Sequence, residues 1–208
     1  NVQPTLPVQS KCATTFETVS ATAFGFAGFG VGLLGALGLL ARRAFDEDYK
    51  EYTKPLDYFN LVFFVGSIFF TIAAYLQFLG AVNADRVSAI ARGRPVPGRF
   101  RWFAWRPREI GWLSAFTQFV GTVLFNINTF DALLPALDWL QEDLLIWTPD
   151  ALGSICFLVA SALALLEYGG GRLSWQPRDV SWWIVNINML GSVAFGVSAI
   201  YAIVLPGT

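Results

Sequence analysis

The chain contains no histidine in its 208 residues. Histidine is the commonest general base near neutral pH and the commonest protein ligand for metals and haem. Its absence removes Ser–His and Cys–His nucleophile pairs and most metal centres. Cysteine is almost as scarce, with only Cys12 and Cys156. One precedes the first apolar run and the other lies within a later one, so a disulfide between them is not expected and both read as packing residues. No glycine-rich phosphate loop and no cysteine-pair metal motif is present. No cofactor is predicted from these residue types, although a bound lipid, quinone or pigment is compatible with them. Charge is also scarce, at 14% of residues against about 25% in soluble domains.

The charges that exist are clustered, and long apolar runs lie between them. Five runs approach or exceed the roughly 20 residues that span a bilayer: 18–41, 58–82, 110–131, 151–168 and 181–205. The sequence therefore predicts a single all-α, polytopic membrane domain of five transmembrane helices. The first run is too long for a signal-peptide core and reads as a retained helix following an arm at 1–17. It is rich in glycine. Gly28 and Gly32 share one face at a spacing that lets two helices approach closely in lipid.

Residues 84–109 form a basic segment with seven arginines. Pro95, Pro97, Gly93 and Gly98 oppose a long helix there. Arg99, Arg101 and Trp102 interleave charge with aromatic surface, which suits an anionic headgroup layer better than nucleic acid. By contrast, 132–150 has four acids and no lysine or arginine. Leucines at helical spacing predict a short amphipathic surface helix over 133–147. With five spans, the arm, the 84–109 segment and the 169–180 loop lie on one side and carry ten Lys and Arg, against four on the other. The positive-inside rule then places the N-terminus in the cytoplasm and the C-terminus opposite, in what reads as a bacterial cytoplasmic membrane.

One stretch occurs twice. Residues 105–112 read WRPREIGW and residues 175–182 read WQPRDVSW, 70 positions apart. At the same offset Gly121-Thr122 meets Gly191-Ser192, and Phe125 meets Phe195. Such self-similarity marks an internal repeat. Trp105, Arg108, Trp112, Trp175, Arg178 and Trp182 are expected to anchor two helix entries at lipid headgroups. Helices two and three form one hairpin; helices four and five form its copy, related by a pseudo-twofold axis along the membrane normal.

Four helices share a pattern of glycine, hydroxyl, branched apolar residue, any residue and phenylalanine: Gly66–Phe70, Gly121–Phe125, Gly153–Phe157 and Gly191–Phe195. Gly66, Gly121, Gly153 and Gly191 are expected at helix contacts, each following hydroxyl can bond a carbonyl one turn back, and each phenylalanine can fill the groove beside its glycine. Intramembrane acids are nearly absent, Asp131 and Glu167 lying near helix ends. The amides Gln118, Asn126, Asn128, Asn186 and Asn188 read first as interhelical bonds. The alternative is a polar pocket between the hairpins for a quinone, lipid headgroup or small solute.

The Gly-Ser steps Gly66-Ser67, Gly121-Thr122, Gly153-Ser154 and Gly191-Ser192, with the Arg-acid-hydrophobic entries, resemble the YrhK-type small membrane proteins over roughly 58–205. The resemblance implies a two-helix unit, here in tandem, and no established activity. The sequence thus points to a non-catalytic accessory or scaffold subunit, in a homo- or hetero-oligomer and in contact with membrane lipids. The alternatives are a transporter or channel for a small solute, ion or lipid, and a membrane enzyme acting through Glu167, Asp131 or Cys156.

Overall fold

The computed structural model describes residues 55–134 and 139–204. The expected first helix, with Gly28, Gly32 and the arm before it, lies outside them. Every regular element among the described residues is helical. Helix α1 spans Pro55–Val82, α2 Ala84–Ala91, α3 Ile110–Asp131, α4 Trp139–Glu142, α5 Thr148–Tyr168 and α6 Val180–Val204. Four stretches are long and apolar enough to cross a membrane: Asn60–Val82, Ile110–Asp131, Leu144–Tyr168 and Val180–Tyr201. The chain is a polytopic α-helical membrane protein by this measure.

Two expected segments differ from the observed ones. The basic segment is not a loop throughout, because α2 occupies its first third. Asp85 sits in the first turn of that helix, where its charge suits the helix dipole. Gly93, at φ +61°, stops it. Its amide bonds Ile90 and the amide of Arg94 bonds Ala89, the two-bond Schellman closure that a left-handed glycine permits. The segment 133–147 is not a separate surface helix either. Residues 139–168 form one helical path, with a π-turn at Asp143–Trp147 leading directly into α5. Pro149 stands at the start of α5. It has no N–H to donate one turn back, so the ladder slips there without stopping. The fourth span consequently begins at Leu144 and is no longer the shortest.

The helices pack as α1 on α3, α3 on α5, and α5 on α6, with α3–α5 the most extensive contact. A twofold relation between hairpins would require α1 to meet α6 as α3 meets α5. Among the described residues α1 and α6 have no extensive interface, and the four spanning helices pack in the order α1–α3–α5–α6, here called a row.

Small residues explain the close α3–α5 approach. A Cβ on Gly121 would lie 2.9 Å from Phe157 and 3.0 Å from Cys156, and one on Gly153 would lie 3.3 Å from the Gly121 carbonyl. The four patterned phenylalanines gather at this level. Ring centroids are 5.6 Å apart for Phe70–Phe157, 5.4 Å for Phe157–Phe195 and 5.1 Å for Phe195–Phe125. They link all four spanning helices through tilted and edge contacts of the favourable kind.

Candidate functional site

Hydroxyls and amides hold the row together. Ser67, Thr122, Ser154 and Ser192, the hydroxyls of the four patterns, are all buried. Each donates to a carbonyl three or four residues back in its own helix. Between helices, Ser67 meets Thr129 at 3.0 Å and Asn126 Nδ2 donates to Thr71 at 2.6 Å, joining α1 and α3. Ser114 donates to the Ala160 carbonyl at 2.9 Å, joining α3 and α5. Ser161 and Ser192 meet at 2.6 Å, and Asn188 donates to Ser161 at 2.9 Å, joining α5 and α6.

The five amides proposed for a shared pocket therefore do not converge. Asn126 faces α1 and Asn188 bonds α5. Asn186 bonds the Trp182 carbonyl of its own helix. Gln118 is buried. Asn128 borders a cavity. The common pocket is corrected to a set of separate interhelical and local bonds, because the two asparagine triplets lie at different depths on different helices.

Of the glycines, Gly66, Gly121 and Gly153 are buried, whereas Gly191 is exposed with nothing within 4 Å of where its Cβ would be. Its packing role is corrected. One turn on, Gly196 takes that role, where a Cβ would lie 3.2 Å from Leu158. Gly111, inside the first tryptophan stretch, has a further task. A Cβ there would overlap the Glu167 carboxyl group, so the glycine seats the end of α5 against the first turn of α3.

The two tryptophan turns share a geometry. Trp105 packs edge-on to Trp112 at 5.1 Å and 73°, and Trp175 packs edge-on to Trp182 at 4.9 Å and 71°. In each turn the acid's amide bonds the carbonyl three residues back at 3.0 Å, Glu109 to Arg106 and Asp179 to Gln176. The first tryptophan of each is exposed, at 67% and 80%, and the second is buried, at 1% and 7%. Trp112 and Trp182 thus pack inside the protein, and their expected place among the headgroup anchors is corrected. Trp112 meets Phe78 of α1, and Trp182 is packed by Trp175 and Trp183 of its own turn and helix. Arg99, Arg101, Trp102, Trp105, Arg108, Trp175 and Arg178 are all exposed.

A residue not singled out from the sequence, Asn83, organises the basic segment. It is buried. Its Nδ2 donates to the carbonyls of Leu79 at 2.9 Å and Arg101 at 2.7 Å, and its Oδ1 accepts from the Arg101 amide at 2.9 Å. The segment is thereby pinned to the end of α1. Arg86 adds bonds to the carbonyls of Pro97 and Gly98, and Arg106 lies 3.4 Å from both Asp85 and Glu109. Beneath it, Phe78, Val82, Trp112 and Ala115 form a buried cluster. The Gly169–Gly171 stretch is similarly ordered. Gly170 at φ +62° bonds Glu167, and Gly171 bonds Leu166, closing α5 in a second Schellman cap.

At the other end of the row lies a cavity of about 250 Å³. Asn60, Asn128 and Asp150 give it a polar wall, and Phe63, Phe125 and Phe195 an aromatic one. Among the described residues no group of three or more His, Cys, Asp or Glu is placed to hold a metal ion. No family model, curated protein or solved structure matches the chain.

Proposed function

We propose that this chain is a non-catalytic integral membrane protein that serves as an accessory or scaffold subunit of a larger membrane assembly, or assembles with copies of itself. The observation that carries this reading is the row of described helices. The polar groups within it bond helix to helix along α1–α3–α5–α6, and among the described residues α6 keeps an exposed apolar face that includes Ile187, Leu190 and Gly191. Such a face suits a subunit that is completed by neighbours, since small residues on a helix face let another helix approach closely. The two tryptophan hairpins, read as a tandem of YrhK-type units with the N-terminus in the cytoplasm, would set exposed arginine and tryptophan against anionic headgroups at one surface.

Purification in mild detergent followed by native mass spectrometry tests the proposal. The expected result is a stoichiometric partner or a defined homo-oligomer, weakened by Gly191→Leu, Gly28→Leu or Gly32→Leu. A strictly monomeric particle indifferent to all three changes would sink it. Transport of a small solute is the second reading. Tight α3–α5 packing around Gly121 and Phe157 weighs against it, because a conducting path between the hairpins would have to open that contact.

A further inference from the structure

The cavity at the end opposite the tryptophan turns is not explained by scaffolding. Its polar wall is rich in acceptors. Asn128 Nδ2 donates to Asp150 Oδ1 at 3.0 Å, and Asn60 Nδ2 donates to the Ala132 carbonyl at 2.7 Å. Both amide nitrogens are turned to protein acceptors, which turns the amide oxygens elsewhere and holds the Asp150 carboxylate in place. Phe63, Phe125 and Phe195 line the same cavity. The segment 132–150, which joins α3 to α5 beside it, lacks lysine and arginine and holds four acids.

A carboxylate and several aromatic residues lining one small cavity are complementary to a cation that has an apolar body. The rings attract it through their quadrupoles, and the carboxylate gives it a charge-assisted bond. A hard divalent ion needs six or more oxygen ligands, and this wall offers one carboxylate. The volume of about 250 Å³ falls below the span of drug-sized pockets, roughly 300–1,000 Å³, which limits the occupant to a small one. The position at the ends of α1, α3 and α5 sets it near the headgroup level. We infer that the Asp150 cavity binds a small organic ammonium group. Such a group is offered either by a free amine or by an amine-bearing lipid headgroup.

The test uses the full chain in a nonionic detergent micelle, titrated with benzylammonium and tetramethylammonium at constant ionic strength and followed by calorimetry. Saturable binding is expected, weakened about tenfold or more by Asp150→Asn, as loss of a charged partner implies. Ser198→Leu, which fills the cavity and leaves the carboxylate intact, is expected to remove binding. Asp85→Asn, at the opposite end, is expected to leave it unchanged, and circular dichroism reports the fold of each variant. A second arm embeds the chain in bilayers of ethanolamine and glycerol phospholipids, then releases it for native mass spectrometry. Ethanolamine lipid retained by the unaltered chain but not by Asp150→Asn identifies the headgroup as the source. Amine binding without such retention identifies the free amine. If neither arm shows binding that depends on Asp150 and on an open cavity, the inference is overturned.

Discussion

The two tryptophan turns use nearly the same residues and reach nearly the same ring geometry, yet they are secured differently. In the first, Trp112 stacks on Phe116 at 4.9 Å and 11° and meets Phe78 edge-on at 5.8 Å, while its Nε1 is buried without a hydrogen-bond partner. In the second, Trp182 Nε1 donates to the Ser174 carbonyl at 2.8 Å, and its packing neighbour is Trp183 at 5.0 Å. Where Arg106 ties the first turn to Asp85 of α2, Gln176 at the matching position of the second accepts from Tyr168, which also bonds Asp179. The difference follows from what the helices place around each ring. Phe78 of α1 and Phe116 of α3 surround Trp112. Trp182 has Trp183 of its own helix, and a hydrogen bond holds the ring as well.

Unfolding of the variants in mixed micelles can break this comparison. Trp112→Ala is expected to cost about 3–5 kcal/mol, the range for emptying a large buried aromatic site. Trp182→Ala should cost clearly less, because fewer rings surround it, and equal losses would refute the contrast. The glycines at matching repeat positions should also separate. Gly121→Leu forces apart α3 and α5 at about 1–3 kcal/mol, whereas Gly191→Leu should change the monomer's stability by no more than about 0.5 kcal/mol.

Asn83→Ala should cost about 1–3 kcal/mol through the lost bonds to Arg101 and should speed proteolysis within 92–105. Unchanged cleavage would mean that Asn83 does not pin the segment. Replacing each buried indole by phenylalanine sharpens the point. Trp182→Phe loses a made bond, about 1 kcal/mol, while Trp112→Phe removes an N–H that has no partner and should cost less. The smallest effect is expected from a double-mutant cycle on Ser161 and Ser192, about 0.6 kcal/mol for one interhelical hydroxyl pair. A coupling of zero would show that their 2.6 Å approach reports packing alone.

Much of the fold was legible in the chain because the signals are local. Apolar runs between charge clusters marked the described spans to within a few residues at most ends, and α3 falls at 110–131 as expected. The Gly-hydroxyl steps were legible for the same reason. A hydroxyl reaches back one turn in any helix, so the bond needs no knowledge of neighbours. Segment ends with unusual backbone were harder. The π-turn before Pro149 and the helix that opens the basic segment depend on how the chain continues across a proline or toward a glycine.

The candidate site was less legible. The repeat put Trp112 and Trp182 with the anchors because sequence identifies an interfacial residue type without its facing. It put Gly191 with the packing glycines because the copies are alike in sequence, while among the described residues only Gly121 of the two has a neighbour on that side. Asn128 was singled out as polar, but its partner Asp150 lies 22 positions away on another helix, and nothing in the spacing joins them. Asn60, 68 positions before Asn128, came to the same cavity from a third helix.

By itself, then, the sequence determined that the chain is helical and membrane-spanning, where the described spans lie, and that one tryptophan stretch recurs. Each of these is written in composition and short-range periodicity. Only the tertiary structure decided which face of each described helix is covered, the order in which these helices pack, that four distant phenylalanines meet, and that a carboxylate, two amides and three rings share one cavity. Those outcomes depend on helix rotation and on the order of neighbours, and interhelix packing selects them only once the spans are side by side.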